Sequence, residues 1–241
     1  MSYVYGMSLS GIFPIERWNF TTQSILSILS EEDYQILVAH QSEQKYQKGD
    51  VIFREGSVPS GIFLVRNGKI KKYKVDQIGK EQIIYVANQG ELIGYHAVLA
   101  EERYPDSASA LEASSLSFIP KEDFFDVIHR SPDFSKQLLK ALSHEFTVLA
   151  NSISVFAQRT APERLAIALI VLREKYKDDR TAGHEIVLNI SRTDLANIAG
   201  IAQENVIRLL KEFKSEGILE TEGRKIIIKD IKLLVKRANY K

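Results

Sequence analysis

Hydrophobic periodicity divides the chain into segments of different kind. Over residues 21–44, Ile25, Ile28, Leu29, Ile36 and Leu37 recur among polar positions at helical spacing, which predicts a helix. From Lys48 to Phe118 the runs shorten. Val51-Ile52-Phe53, Ile62-Phe63-Leu64-Val65, Ile70 to Val75 and Ile83-Ile84-Tyr85-Val86 are β-rich, with turns at Gly56, Asn67-Gly68, Gly79 and Gly90. Asn67-Gly68 between two apolar runs signals a hairpin, because both residues accept positive φ. Short strands at regular spacing, with no helix-sized run between them, predict a roll, barrel or sandwich rather than a doubly wound parallel sheet. After Pro132 the period is helical again. Leu139, Leu142, Phe146, Leu149, Ile153 and Phe156 are spaced 3, 4, 3, 4, 3, an a/d seam. Such a seam suits a helix packed on its own β-domain, and equally a dimer helix braced by a domain on each side.

Thr160-Ala161-Pro162-Glu163 restarts a helix, with Thr160 as cap, Glu163 reaching back and proline in the tolerant first turn. A hinge is expected at 157–160. Ser191-Arg192-Thr193-Asp194 opens a short helix as a capping box, and Leu195, Ala196, Ile198 and Ala199 supply small packing residues. Gly200 breaks that helix, and Ile201 is the apolar plug of a tight turn. A second helix is predicted from Gln203 to Glu216, with Val206, Leu209, Leu210 and Phe213 buried and Gly217 as its stop. Two short helices joined by a glycine turn form a helix-turn-helix. Ile218 to Lys229 follows as a hairpin with a basic tip, a wing.

Composition narrows the chemistry. The 241 residues include 44% hydrophobic residues and no cysteine, so a packed core is affordable in apolar content and thiolate chemistry is excluded. No apolar run is long enough to span a bilayer. The opening MSYVYGMSLSGIF lacks the pattern of a secretory leader, so a cytoplasmic protein is expected. Nucleophile-elbow, phosphate-loop, zincin and dinucleotide motifs are absent, and His40, His96, His129, His144 and His184 show no ligand spacing. An enzyme is not expected.

Net charge is +1 for the whole chain but is unevenly distributed. Residues 1–157 hold 15 Lys+Arg against 19 Asp+Glu, a net of −4; residues 158–241 hold 17 against 12, a net of +5. The basic share coincides with the helix-turn-helix, which points to an anion-binding module. In that docking mode the N-terminal residues of the second helix meet base edges. Gln203, Glu204 and Arg208 are the candidate base readers: arginine donates to guanine O6 and N7, glutamine pairs with adenine, and glutamate accepts from cytosine N4. Lys211, Arg192, Thr193, Arg224 and Lys225 are the candidate phosphate contacts.

From about Leu37 to Ile228 the chain resembles the cyclic-AMP receptor / fumarate–nitrate reductase regulator (CRP/FNR) family of bacterial transcription factors. The resemblance is carried by Lys48 to Gly56, Gly61 to Gly68, Gly90-Glu91-Leu92-Ile93-Gly94, the a/d helix, and Ser191 to Leu219. It implies an α+β chain with three parts. Residues 1–132 would form a cyclic-nucleotide-binding-like β-roll (a double-stranded jelly roll) with an N-terminal helical segment. Residues 133–157 would form the dimerisation helix, and residues 158–241 a winged helix-turn-helix. It further implies a homodimer on a two-fold operator in double-stranded DNA, with RNA polymerase as partner if the protein is an activator, and no membrane partner.

The effector region departs from the family pattern. After Gly94, cyclic-AMP binders place a glutamate for the ribose; here it is Tyr95. Before Ser107-Ala108 they place an arginine for the phosphate; here it is Asp106, which repels an anion. Leu149 and Ala150 stand where a Thr-Ser pair would meet the purine. Losing one charge-assisted partner and gaining a like charge costs roughly several kcal/mol, so cyclic AMP is not the expected effector. The cluster-holding members use cysteines, which this chain lacks, and a haem would have only His96. No cofactor is predicted. Gly90, Glu91, Tyr95, His96, Arg103, Asp106, Ser107, Leu149 and Asn151 are candidates to line a pocket for another small molecule; a filled, ligand-free roll is the open alternative. At the recognition helix, many relatives begin Ser-Arg-Glu where this chain has Ala202-Gln203-Glu204, so operator preference is expected to shift at Gln203. The competing function is a ligand sensor acting through protein contacts, its DNA-binding domain degenerate.

Overall fold

The computed structural model describes residues 9, 11–19, 22–177 and 186–239. Most of the opening segment weighed as a leader, and His184, lie outside the described residues. The described residues from 22 to 146 pack as one compact unit; those from Thr147 onward pack as a second, together with the described residues before 20.

In the first unit, eight strands form two four-stranded antiparallel sheets. They are β1 (Ser42–Tyr46), β2 (Val51–Phe53), β3 (Gly61–Asn67), β4 (Ile70–Val75), β5 (Glu81–Ala87), β6 (Leu92–Ile93), β7 (Ser107–Ala110) and β8 (Ser114–Pro120). Their orders are β1-β8-β3-β6 and β2-β7-β4-β5. This is the double-sheeted roll that the regular short strands imply. Its core includes Phe53, Phe63, Val65, Ile70, Ile93, Tyr104 and Leu116, with Phe53 stacked on Tyr104 at 4.0 Å between ring centroids. The Asn67-Gly68 turn joins β3 to β4 as expected. Gly68 has φ of +88°, and a Cβ there would collide with Ser114 and the Ala113 carbonyl, so only glycine fits.

The helical prediction over 21–44 is corrected. The segment holds two short helices, α1 (Gln23–Leu26) and α2 (Glu31–Leu37), and then enters β1 at Ser42. Ser30 restarts the helix by accepting from the Asp33 amide at 3.1 Å. Pairing with β8 then holds Ser42–Tyr46 extended, although that stretch is mostly polar. In this first unit two helices were not anticipated, and α9 (Ile231–Ala238) of the second was not either. The six-residue α3 (Tyr95–Ala100) is too short to show a period, and α4 (Lys121–Arg130) follows β8 directly. α4 buries Phe124 and Val127 completely.

The long helix α5 runs Pro132–Gln158, close to the predicted span. It has two apolar stripes. Phe134, Leu138, Ala141, Val148 and Val155 are buried, while Leu139, Phe146 and Ile153 of the predicted seam are 65%, 74% and 69% exposed. Leu149 and Phe156 are also exposed, and Leu142 is half-buried. The division between the compact units falls within this helix, after Phe146, whereas sequence reading puts the boundary at 157–160.

In the second unit, α6 (Ala161–Lys175) buries Leu165 through Ile170 on nearly every side and so forms the centre. The Glu163 carboxylate accepts from the Thr160 amide and hydroxyl at 2.8 and 2.9 Å, the predicted cap. Asn239 donates to the same carboxylate at 2.7 Å; chiefly because of that bond, the Glu163 pKa lies below its ordinary value. The helix-turn-helix follows as α7 (Arg192–Ala199) and α8 (Gln203–Ser215). A three-stranded sheet of order β10-β11-β9 comprises β9 (Val187–Asn189), β10 (Leu219–Glu222) and β11 (Lys225–Ile228), and α9 (Ile231–Ala238) ends the description.

Candidate nucleic-acid interface and effector region

The turn between α7 and α8 is built from three residues of different chemistry. Gly200 takes a left-handed conformation, φ +63°, that ends α7. Ile201 is buried beneath the turn. Arg164 of α6 donates to the Gly200 carbonyl at 3.1 Å and fastens the turn to the centre of the unit. At the other end of α7, Ser191 accepts from the Asp194 amide at 2.9 Å, as the capping motif predicts. The buried stripe of α8 is Val206, Leu209, Leu210 and Phe213. Gln203, Glu204, Arg208 and Lys211 therefore project from the opposite, exposed face.

Sequence reasoning passed over Ile207, which is 40% exposed on that polar face. An exposed aliphatic group among the candidate base readers is of a kind suited to the methyl of thymine. Its signal was readable: Ile207 lies off the stripe of Val206, Leu209, Leu210 and Phe213 that the helical period turns to the core.

The wing is the β10–β11 hairpin, its tip at Gly223-Arg224. Arg224, Lys225 and Lys211 are exposed and available to phosphate. Arg192 and Thr193 are engaged elsewhere. The Arg192 guanidinium donates to the Gly223 carbonyl at 2.9 Å and to that of Arg224 at 3.4 Å, so it braces the wing against α7. Partial burial lowers its pKa from the ordinary value. The Thr193 hydroxyl donates to Gln203 Oε1 at 2.8 Å.

In the first unit the predicted effector residues meet protein partners. Asp106 is not a bare carboxylate: Lys72 of β4 sits 3.0 Å away, and both side chains are over nine-tenths buried. The expected repulsion of an anion is thereby corrected to an internal ion pair. Tyr95, at the start of α3, is fully buried and donates to Glu145 Oε2 at 2.8 Å. His96, also on α3, places Nε2 2.6 Å from the same oxygen. Burial, then the neighbouring Glu145 charge, pushes the Tyr95 hydroxyl well above the ordinary phenol range. Burial tends to raise the Glu145 pKa, but the His96 hydrogen bond and charge, with Lys72 and Tyr95, hold it below the usual carboxylate value.

Glu91 accepts from Tyr85, whose hydroxyl is likewise raised by burial and by that carboxylate. Ser107 Oγ accepts from the Glu55 amide at 2.9 Å, and Arg103 donates to the Gly56 carbonyl at 2.7 Å. Gly90 turns the chain into β6 at φ +81°. Leu149 and Asn151 belong to the second unit, where Asn151 donates to the Arg17 carbonyl at 3.0 Å. Lys72, Tyr85 and Glu145 are the members that sequence reasoning missed. A cleft of about 740 Å³, lined by Val58, Val98, Lys121 and Phe125 among others, shares only Arg103 with the predicted set.

Comparison with known proteins agrees with both halves. Residues 43–131 match the cyclic nucleotide-binding domain family, and residues 163–237 the Crp-like helix-turn-helix domain family. The chain is 30% identical over 184 residues to the transcriptional activator protein anr of Pseudomonas aeruginosa, covering 76% of this chain and 75% of that protein. It is 29% identical over 194 residues to the fumarate and nitrate reduction regulatory protein of Escherichia coli, covering 80% and 77%. The structure of FixK2 from Bradyrhizobium japonicum aligns with a TM-score of 0.73 at 21% identity, over 81% of this chain and 96% of that one, a likeness of fold. Among the described residues, no helix is long and apolar enough to cross a membrane, and no group of three or more metal-ligating side chains converges.

Proposed function

The chain belongs to the CRP/FNR family of transcription regulators, and from that premise we propose that it is a cytoplasmic homodimer binding a two-fold operator without response to cyclic AMP. It acts as a regulator and not as an enzyme. The observation that carries DNA reading is the α8 face, where Gln203, Glu204, Ile207, Arg208 and Lys211 stand exposed beside a wing bearing Arg224 and Lys225. Dimerisation is supported by the exposed stripe of Leu139, Phe146, Leu149, Ile153 and Phe156 on α5, spaced for a coiled-coil partner. Two such helices side by side would set the recognition helices one DNA turn apart, about 34 Å.

Indifference to cyclic AMP is supported by Lys72 and Asp106. Where the family's ligand phosphate would need a cation, this chain has a carboxylate already paired with a buried lysine. Admitting the anion would mean separating that pair in a desolvated place. The likeness to a transcriptional activator makes RNA polymerase the protein partner we assign. Selection of bound duplexes from a random pool, with and without cyclic AMP, tests the reading. A two-fold consensus that is the same under both conditions is expected; no enrichment would refute DNA reading, and enrichment only with the nucleotide would refute indifference.

A further inference from the structure

We propose that Thr193 sets the base preference of Gln203 by holding its side-chain carbonyl, so that Gln203 meets DNA as a hydrogen-bond donor. The inference rests on the DNA-reading role given above. Gln203 is the first residue of α8, and Ala202, its N-cap, has no polar side chain to direct it. The direction comes from α7 instead: the Thr193 hydroxyl donates to Gln203 Oε1 at 2.8 Å. A glutamine amide carries one carbonyl acceptor and two N–H donors at opposite ends of a plane. Bidentate pairing with adenine uses both ends at once, the carbonyl for N6–H and the amine for N7. With Oε1 turned to Thr193, the amine end is the one presented outward.

Guanine offers two acceptors in the major groove, O6 and N7, and is the base whose edge suits two N–H donors. Glu204, the next residue, only accepts when ionised, so the neighbouring side chains present opposite polarity to the groove. The contact also orders an exposed, flexible side chain before DNA arrives, which lowers the entropic cost of binding. Thr193 is thus a positioning residue rather than a phosphate contact, and the adenine pairing expected of Gln203 from sequence gives way to guanine.

The test uses the full-length protein. Duplex selection with wild type and Gln203→Ala identifies the operator position that Gln203 reads. Affinities for guanine and adenine at that position are then compared in wild type, Thr193→Val, Thr193→Ala and Thr193→Ser. We expect wild type and Thr193→Ser to favour guanine. Both variants lacking the hydroxyl should shift toward adenine by about tenfold, within the range of one bidentate base contact. Four results would overturn the inference and leave DNA reading intact: a wild-type preference for adenine, a guanine-to-adenine ratio unmoved by loss of the hydroxyl, Thr193→Ser behaving like Thr193→Val, or no position altered by Gln203→Ala. Failure of the wild type to select any sequence would overturn both.

Discussion

Asp106 is legible in the sequence as a departure from the arginine of cyclic-AMP binders, but its partner is not. Lys72 pairs across the β4–β7 register with Ala108, and Asp106 lies diagonally beside it on the same face. That neighbour exists only once the register is chosen. Glu145 was likewise passed over, because its position on α5 has no apolar signal, although Tyr95 and His96 both converge on it. Its folded-state pKa is below the unfolded value, so its contribution to stability is present at neutral pH and is lost as pH falls through that lowered value. Glu145→Gln is therefore expected to be less stable than wild type at pH 7 and to converge with it in acid, as read by urea denaturation across pH. On the exposed face of α8, Arg208 lies 3.8 Å from Glu212, one turn along the same helix. Arg208→Ala should cost about 1–3 kcal/mol on the operator and relax one position. Equal weakening on every sequence, in a binding titration, would place Arg208 on phosphate instead.

α5 shows how far periodicity carries at the scale of an element. Phe134, Leu138, Ala141, Glu145 and Val148 repeat at 4, 3, 4, 3, and the seam beside them repeats at 3, 4, 3, 4, 3 from Leu139. Either stripe would serve as the face turned to the chain's own fold. The structure buries the first and leaves most of the second exposed, which supports the proposed reading of a face open to a partner. Phe146→Glu combined with Ile153→Glu should halve the mass seen by sedimentation and abolish binding to the two-fold operator. Thermal stability of the protomer should change little, since both side chains are largely exposed already. A dimer that survived would place the interface elsewhere. Local signals served the helix-turn-helix best: Ser191, Gly200, Ile201 and Gly217 all do what their chemistry predicts. They served residues 21–44 worst, because a strand edge such as Ser42–Tyr46 is held by its neighbour's hydrogen bonds rather than by its own side chains.

For the whole molecule, the net charge of +1 understates what DNA would meet. Lys211, Arg224 and Lys225 are exposed, while Arg192 is committed to the wing. If the proposed dimer places these three on phosphate in both copies, about six contacts predict a slope of about −5 when the logarithm of affinity is plotted against that of salt concentration. Arg224→Ala, lost from both protomers, should flatten it by about 2; an unchanged slope would remove the wing tip from the phosphate set. Helix caps, glycine turns, strand runs and the division into an acidic and a basic part depend on residues close together in the chain, and they were readable without coordinates. Which stripe of α5 stays open, which lysine neutralises Asp106, which groups close on Glu145 and which way Gln203 faces depend on residues far apart in the chain. Sheet register and helix packing bring those residues together, and no local spacing encodes them.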